Sequence, residues 1–583
     1  MTATVSNEQY SNFFFKDGED EAHKKCTMCI TILKKPASGY TAYMTHLNMK
    51  HPDYKAIYAV ETSKPGGKDI RTFFQRQASQ RALDTWKWMD WIVEDNLPFY
   101  FVEGERARAN SVMAPISRNT LMKSMKLVIK KVQKRISKVL KDIKTFGLVT
   151  DGWSHDVEHY LCIFATYVEV DDKGGRETVQ EILLSCSVQE DVDITENWAV
   201  DVPEGAKNFG LTVDDMFDLI ATILVGDFDI DINADNFNDI IEFLGGDNVS
   251  VNRSFCNRTG IYLAGCGAHR LQLAVYDFLG PEEKKRSDGQ VVREASEEQA
   301  LISKLNALMG ELKTIKTAAI LRSCLTEAEG DIKPERRTRV KWASLFNMLK
   351  KWEKLRLPIE RKRGDFPLSV TEKIPTVPEC VMLERLTVKL GDFESVSKAL
   401  QRGGDKRLSR YEMRGLFDDL VSAHETADRP LHHLHENDNV VNDKAFEKAI
   451  VKLQGGKEDQ LTTAEKNAVK FFKKPQSAAA EDAAEPEMSF AERSLLGSQL
   501  SKRARTDKSS YRSVSHVTST SLICERLFSR AKLIMSHLRS HMDPDSLAML
   551  LFLKVNKRFW KDATIIDDIF SELASGGQAT NEI

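Results

Sequence analysis

Long apolar runs are missing from this sequence. No stretch approaches the roughly 18 consecutive apolar residues that a membrane-crossing helix needs. The first twelve residues also lack the charged and apolar parts of a secretory signal. We therefore expect the protein to stay inside the cell and to have no membrane partner.

Cysteine is scarce and scattered. Nine cysteines over 583 residues are too few and too widely spaced for the disulfide framework of a small secreted domain. Reduced thiols or metal ligands are the expectation instead. A chain of this length predicts about three or four domains.

A large excess of one charge is also missing, because 83 basic side chains face 86 acidic ones and the net charge is -3. This argues against a uniformly basic nucleic-acid-binding protein, although net charge averages over domains. Locally the balance differs. Between Leu121 and Lys144 there are nine basic residues and one acid, Asp142.

Apolar residues recur every three or four positions from Met125 to Ile143, which predicts an amphipathic helix with lysines on its other face. Two interpretations of that face stay open. It is a solvated charged surface, or it contacts the DNA backbone through Lys126, Lys130, Lys134 and Lys138.

Two short pairs of soft ligands lie near the N-terminus. Cys26 and Cys29 are separated by two residues, His46 and His51 by four, and 16 residues lie between the pairs. Zinc prefers four such ligands in a tetrahedron, and two chelating pairs on a turn and a helix supply them. The spacing predicts a structural zinc site, the alternative being a chance arrangement in a reduced protein.

From Gly147 the pattern changes to short apolar runs typical of strands. Runs at 148–149, 161–168 and 179–186 are followed by a helical stretch at 216–224 and another run at 240–244. This order predicts an α/β sheet. Asp151 and Asp247 follow two of the runs and could converge on divalent cations. An Asp after a strand also commonly serves as a turn or helix cap.

The rest of the chain is predominantly helical in pattern. Periodicity typical of helices extends from about residue 282 to 505, as at 301–320 and 345–357. Its end, 478–505, predicts a flexible linker whose Lys502, Arg503 and Arg505 form a weak nuclear-import pattern. Two strongly apolar helices are predicted at 522–535 and 547–560.

Several phrases resemble known families. His46, Leu47, His51 and Pro52, after the aromatic residues 13–15, resemble the BED zinc finger, which binds DNA. Nearly the whole chain resembles the hAT transposases in the order and spacing of its phrases. Those phrases are Pro115, Ser117, Arg118, Thr120 and Leu121; Thr150 to Trp153; Gly246 to Asn248 with Asn252; Cys266, Ala268, His269, Leu271 and Leu273; Glu525 to Ser529; and Arg539, Pro544, Leu551 to Lys554, Asn556 and Trp560.

The resemblance implies a multidomain α/β protein with an RNase H-like mixed sheet, a large all-helical insertion and a preceding zinc finger. It implies that Asp151, Asp247 and Glu525 form an acidic triad that holds Mg²⁺ or Mn²⁺. The expected segments are a BED-type finger at 1–64, a helical DNA-binding segment at 65–145, the RNase H-like domain at 146–280 and 513–565 with the dimerisation region in its second part, a helical insertion and linker at 281–512, and a tail at 566–583.

Two details depart from the family or stay open. In the family, a Thr, Arg, Trp phrase has a tryptophan that supports the DNA hairpin or end structure. Here that phrase is two residues longer and ends at Trp342. In addition, Glu242 interrupts an apolar run before Asp247. Either departure could mark a decayed or domesticated copy. Cys266 and His269 match a family motif, but two ligands alone rarely hold a metal, so packing is an equal interpretation.

The C-terminal apolar residues predict self-association, because they exceed what one small face usually buries. A dimer or a higher homo-oligomer is therefore expected, with contacts through Leu550, Leu551, Phe552, Phe559 and Trp560.

Two functions remain open from the sequence. One is a cut-and-paste transposase in the nucleus that cleaves and joins double-stranded DNA with Mg²⁺. The other is a domesticated, inactive DNA-binding dimer that acts in transcription or chromatin. A general nuclease is a weaker third option.

Overall fold

A computed structural model describes most of the chain, at residues 6–17, 23–29, 31–35, 39–55, 57–58, 78–155, 158–171, 177–188, 212–285, 291–338, 342–474, 509–535 and 542–575. The predicted linker at 478–505 and Arg539 lie outside these residues. The protein has a mixed α/β fold, rich in helix, and its described residues form a small N-terminal sheet of three strands, a two-stranded sheet and a larger sheet of five strands. None of the described helices is long and apolar enough to cross a membrane.

The chain divides into two compact units, one of residues 1–132 with 557–583 and one of residues 133–556. The helices and strands assigned to the first unit are α1 Asn7–Phe14, β1 Phe15–Asp17, β2 His23–Cys26, β3 Ile32–Lys34, α2 Thr41–Lys50, α3 Gln80–Glu94, the 3₁₀ turn Phe99–Glu103, α4 Glu105–Asn110, the first part of α5 Arg118–Ile143, the 3₁₀ turn Lys557–Phe559 and α20 Thr564–Ser575.

The N-terminal part of the first unit is a small sheet covered by a helix. Strands β1, β2 and β3 form an antiparallel sheet in that order. Its core is aromatic, with Phe14, Phe15, Tyr43, Leu47 and Tyr54 buried together. So small a core buries little apolar surface, and domains of this size commonly need a metal for stability.

The C-terminal end of the chain belongs to this first unit as well. The Trp86 indole donates a hydrogen bond of 3.2 Å to the Trp560 carbonyl, and the Arg81 guanidinium lies 4.8 Å from the centre of the Phe570 ring. Helix α20 thus packs against α3. The predicted tail at 566–583 therefore begins inside a helix.

The second unit holds the larger sheet and the helical block. Its elements are β4 Phe146–His155, β5 Glu158–Val170, β6 Glu177–Val188, α6 Val213–Thr222, α7 Phe237–Ile240, β7 Ile241–Gly246, α8 Ser250–Thr259, β8 Tyr262–Gly265, α9 Gly267–Leu279, β9 Lys284–Lys285, β10 Val291–Arg293, α10 Glu297–Glu311, α11 Ile315–Cys324, α12 Ala343–Arg361, α13 Leu368–Thr371, α14 Val377–Leu400, α15 Arg410–His424, α16 Lys444–Gln454, α17 Thr463–Ala468, α18 Leu522–Ile534 and α19 Pro544–Val555. Short turns of 3₁₀ or π helix lie at Ile223–Asp227, Arg363–Asp365, Gly404–Lys406, His432–Leu434, Glu458–Gln460 and Lys470–Phe472.

The larger sheet is mixed, with five strands in the order β6-β5-β4-β7-β8. Strand β5 is antiparallel to both β4 and β6, whereas β7 is parallel to both β4 and β8. The strands predicted from the apolar runs are confirmed. The prediction that Asp151 follows the end of its strand is wrong, because β4 stays paired with β5 as far as His155.

Helices α9 to α15 share one apolar core, in agreement with the helical block predicted from periodicity. Beside it lies a buried ion cluster in which Glu447 contacts Arg270 at 2.5 Å and Arg410 at 3.4 Å. The Arg270 guanidinium also donates to the backbone carbonyls of His433 and His435. The charges are therefore paired and hydrogen-bonded, as burial requires.

Helix α19 packs against β6, and the chain itself buries most of the predicted dimerisation residues. Leu550, Leu551, Phe552 and Trp560 are all at most 6% exposed, and Phe559 is half-buried. The reason given for self-association, that one chain cannot cover these side chains, is therefore wrong. Self-association itself stays a prediction.

Candidate metal centre and acidic edge

Four side chains from strand β2 of the small N-terminal sheet, the turn after that strand and the region of helix α2 meet around one point. The ligand atoms of Cys26, Cys29, His46 and His51 all lie within 4.8 Å of one another. The Cys26 sulfur lies 3.7 Å from His51 Nε2, and the Cys29 sulfur lies 3.2 Å from His46 Nε2. Among the described residues this is the one set of three or more such side chains close enough to hold an ion.

Local structure places these ligands. Cys26 ends β2, and its amide donates to the Thr31 carbonyl at 2.8 Å, which closes the turn that holds Cys29. His46 lies on α2, and His51 follows the helix with its amide bonded to the Leu47 carbonyl. Because Leu47 is fully buried in the aromatic core, the helix is fixed against the turn. Both ligand pairs therefore face each other.

The donor set fits zinc. Bonds of about 2.3 Å to sulfur and 2.0–2.1 Å to nitrogen give a tetrahedron with edges of roughly 3.3 to 3.8 Å, close to the two distances above. Burial raises the pKa of the Cys26 thiol to about 11 and lowers the pKa of both histidines. Neutral imidazoles are ready to coordinate, and a bound cation would stabilise the thiolates.

The second candidate site lies where β4 and β7 run side by side. Val149 pairs with Gly245 in parallel register, so Asp151 and Asp247, each two residues further on, stand at the same level. The Asp151 carboxylate accepts a hydrogen bond of 2.9 Å from the Gly152 amide. Asp151 lies inside β4 and Asp247 directly follows β7, and we call the place where β7 ends beside β4 the acidic edge.

Helix α18 brings Glu525 to the same strand. The Cys524 thiol lies 3.9 Å from the Val149 carbonyl, and the Phe528 ring stacks on Trp153 with centroids 5.6 Å apart. Asp151 lies midway between Val149 and Trp153 in β4, and all three residues share one strand face because side chains alternate. Glu525 is half-buried and directly follows Cys524, whose thiol is near enough to Asp151 for that charge to act on it.

His269 belongs to the acidic edge, whereas Cys266 does not. His269 Nδ1 lies 3.3 Å from the Asp247 carboxylate, and this contact, together with the nearby Asp151 charge, raises the pKa of His269. Cys266 is buried behind it, where burial raises the pKa of its thiol to about 12. The Cys266 sulfur accepts a hydrogen bond of 3.4 Å from the Ser521 amide, and the His269 ring is turned to Asp247, so the structure favours packing for Cys266.

The three carboxylates are not gathered as tightly as the four ligands of the finger, since they form no such group among the described residues. The Asp247 carboxylate is turned toward His269. Assignment of the triad to a divalent cation stays a prediction.

Glu242, the charge that interrupts strand β7, has partners. It is 4% exposed, and it contacts Arg512 at 2.8 Å and His516, both from the segment before α18. Burial alone would raise the pKa of Glu242, but the two partners outweigh it and the pKa lies below its ordinary value. Sequence reasoning missed Arg512 and His516, although a Glu inside an apolar strand signals a need for a cationic partner.

The predicted basic face lies on α5. Its apolar side is buried, from Leu121 to Leu140, and Lys126, Lys130, Lys134 and Lys138 are exposed. The amphipathic prediction is confirmed. A solvated surface and a DNA contact both remain compatible with this exposure.

Trp342 lies at the start of α12 and is 5% exposed inside the core of the helical block. Contact between this side chain and DNA would require it to leave that core. Residues 339–341 of its motif lie outside the described residues.

Comparison with models of known protein families and with curated proteins finds no match for this chain.

Proposed function

We propose that this protein is a hAT-like transposase, or a derivative of one, that binds double-stranded DNA through its N-terminal finger and cleaves DNA strands at the acidic edge of its larger sheet. The observation that carries the proposal is that Asp151, in β4, and Asp247, directly after the adjacent parallel strand β7, lie at the same end of the two strands and both act on the charge of His269. No local pattern predicts it, because the two residues are 96 positions apart.

The strand order supports an RNase H-like sheet. Its first strand, β4, lies in the middle. On one side β5 is antiparallel to β4 and β6 is antiparallel to β5, and on the other side β7 and β8 run parallel to β4. Glu525, 278 residues after Asp247, lies on a helix packed against β4. A triad assembled from three distant segments is what the hAT resemblance implies.

The residues have defined roles under this proposal. Asp151, Asp247 and Glu525 would hold Mg²⁺ or Mn²⁺, since carboxylate oxygens are the ligands these ions prefer. The bound ions would stabilise the attacking and leaving oxygens of phosphodiester cleavage. His269 orients the Asp247 carboxylate at the edge of the site. The finger would use zinc only to fold, in a protein that works in the nucleus as a homo-oligomer.

Cleavage is tested with supercoiled plasmid that carries the DNA flanking this coding sequence. The proposal expects Mg²⁺- or Mn²⁺-dependent nicking, and Asp151→Asn and Asp247→Asn should each reduce it at least 100-fold, in line with loss of an electrostatic stabiliser. Asp229→Asn removes a carboxylate paired with Lys141 elsewhere in the unit and should leave the rate unchanged. Nicking that survives both active-site substitutions contradicts the assignment.

Two observations favour a second candidate, a domesticated DNA-binding protein without cleavage. Trp342 is buried in the helical core, and the three carboxylates are not drawn into one tight group. Under this alternative the finger and the basic helix still bind DNA, but no nicking appears with either cation. The plasmid assay combined with a DNA-binding assay separates the two candidates.

A further inference from the structure

The outward face of helix α2 consists of uncharged side chains. Tyr43, Met44 and Leu47 point into the finger core. The exposed residues of the helix other than its last are Thr41, Ala42, Thr45, Asn48 and Met49. Met49 is 75% exposed, an unusual position for a large apolar side chain. This stripe has no role in binding the metal or in forming the core.

The stripe has the dimensions of a short DNA contact. Met49 lies eight positions after Thr41, or about 12 Å along the helix at 1.5 Å per residue. At about 3.4 Å per base pair this length spans three to four base pairs. The major groove admits an α-helix, and zinc-finger helices place their outward side chains against three successive bases.

Cationic residues surround the stripe instead of lying on it. Residues 23–55 contain six lysines and one acid, Asp53. Lys25, Lys34 and Lys55 are exposed, and Lys50 is the last residue of α2. Lysines in these places suit phosphates, which orient a protein on the duplex without reading its sequence.

The chemistry of the stripe selects among base pairs. Asn pairs with the N6 and N7 edge of adenine, and the methyl groups of Thr and Ala contact the methyl group of thymine, whereas guanine is read mainly by Arg or Lys. Helix α2 has no arginine, and its one lysine lies at the end. We infer that the finger reads a short site of A·T base pairs in the major groove, with Asn48 as the adenine-contacting residue. This inference rests on the proposed DNA binding by the finger.

The test measures binding of the full-length, zinc-loaded chain to matched duplexes. These share their flanks and differ only in a central four-base-pair block of A·T or G·C pairs. Binding by Cys26→Ala, which loses the metal site, gives the contribution of the rest of the chain. The inference expects at least a ten-fold preference for A·T blocks, absent in Cys26→Ala.

Two variants sharpen the test. Asn48→Ala should lose about five-fold or more of the preference for adenine at one position, with unchanged binding to the G·C duplex. Lys25→Ala should weaken binding to both duplexes equally. Asn48→Arg should shift the preference at that position toward guanine.

The outcomes separate this inference from the function on which it rests. If the wild type and Cys26→Ala bind all duplexes equally well, the finger does not bind DNA and the proposed role of the finger fails. If the finger contributes binding but prefers G·C blocks, or keeps its A·T preference in Asn48→Ala, DNA binding stands and the base assignment is overturned.

Discussion

The candidate sites of the small N-terminal sheet and of the larger mixed sheet are built in opposite ways. In the first, four ligands within 26 consecutive residues converge on a core of a few aromatic rings. In the second, Asp151, Asp247 and Glu525 come from three distant segments, two at the strands β4 and β7 and one on a helix that packs against β4. We therefore expect folding of the N-terminal region to depend on its metal and folding of the larger sheet to be independent of one.

Removal of zinc should have the largest effect, because it should unfold the N-terminal finger and leave the larger sheet folded. Structural zinc contributes about 10–16 kcal/mol to the folding of comparable fingers, whereas the larger sheet has its own core. In a strong chelator, hydrogen exchange of the full chain should lose protection at 23–55 and keep it at 146–188. Cys26→Ala should show the same loss without chelator, and Cys380→Ala, a buried thiol of the helical block, should retain one zinc. If residues 23–55 keep their protection from hydrogen exchange in the chelator, zinc is not required to fold the finger.

The larger unit should instead be sensitive to its buried charges. Glu447→Ala leaves Arg270 and Arg410 buried without their carboxylate, which should cost about 3–5 kcal/mol of unfolding free energy. Urea denaturation measures this change. The control is Glu353→Ala, which removes only a surface pair with Lys350 and should cost less than about 0.5 kcal/mol. If both variants change the unfolding free energy equally, the buried ion cluster does not stabilise the helical block.

Acid should act on the same unit through Glu242. Its pKa lies below the ordinary 4.5 in the folded protein, so its contribution to stability is present above pH 4.5 and is lost as the pH falls through the folded pKa. The loss should be about 1.4 kcal/mol for each unit of depression. Unfolding free energies of the wild type and Glu242→Gln should therefore converge below pH 4.5. A constant difference across pH 3 to 7 would contradict this role.

The smallest effect should come from the exposed face of α5. Changing Lys126, Lys130, Lys134 and Lys138 to Ala should leave folding unchanged and reduce the salt dependence of DNA binding by up to about 0.9 for each phosphate that the face no longer neutralises. Binding isotherms between 50 and 200 mM salt measure the slope, with Lys313→Ala/Lys316→Ala as the surface control. A slope equal to that of the wild type would identify the face as solvated surface.

The same contrast explains what the sequence could predict. Ligand spacing and apolar periodicity are local, so the Cys26 to His51 set, the strands around Thr150 and the helix from Arg118 were accessible to prediction. Strand pairing is not local, and the continuation of β4 past Asp151 depends on β5. The partners of Glu242 lie about 270 residues away. Burial of Leu550 and Trp560 likewise depends on elements that no local pattern connects to them.

The central claim is that Asp151, Asp247 and Glu525 form one cation site, and the direct measurement is Mn²⁺ binding by electron paramagnetic resonance on the full chain with its finger loaded with zinc. We expect one or two bound Mn²⁺ ions, which Mg²⁺ displaces. Asp151→Asn, Asp247→Asn and Glu525→Gln should each weaken binding at least ten-fold, and Asp229→Asn should not. If no Mn²⁺ binds, or if all three substitutions leave the affinity for Mn²⁺ unchanged, the three carboxylates do not form a cation site.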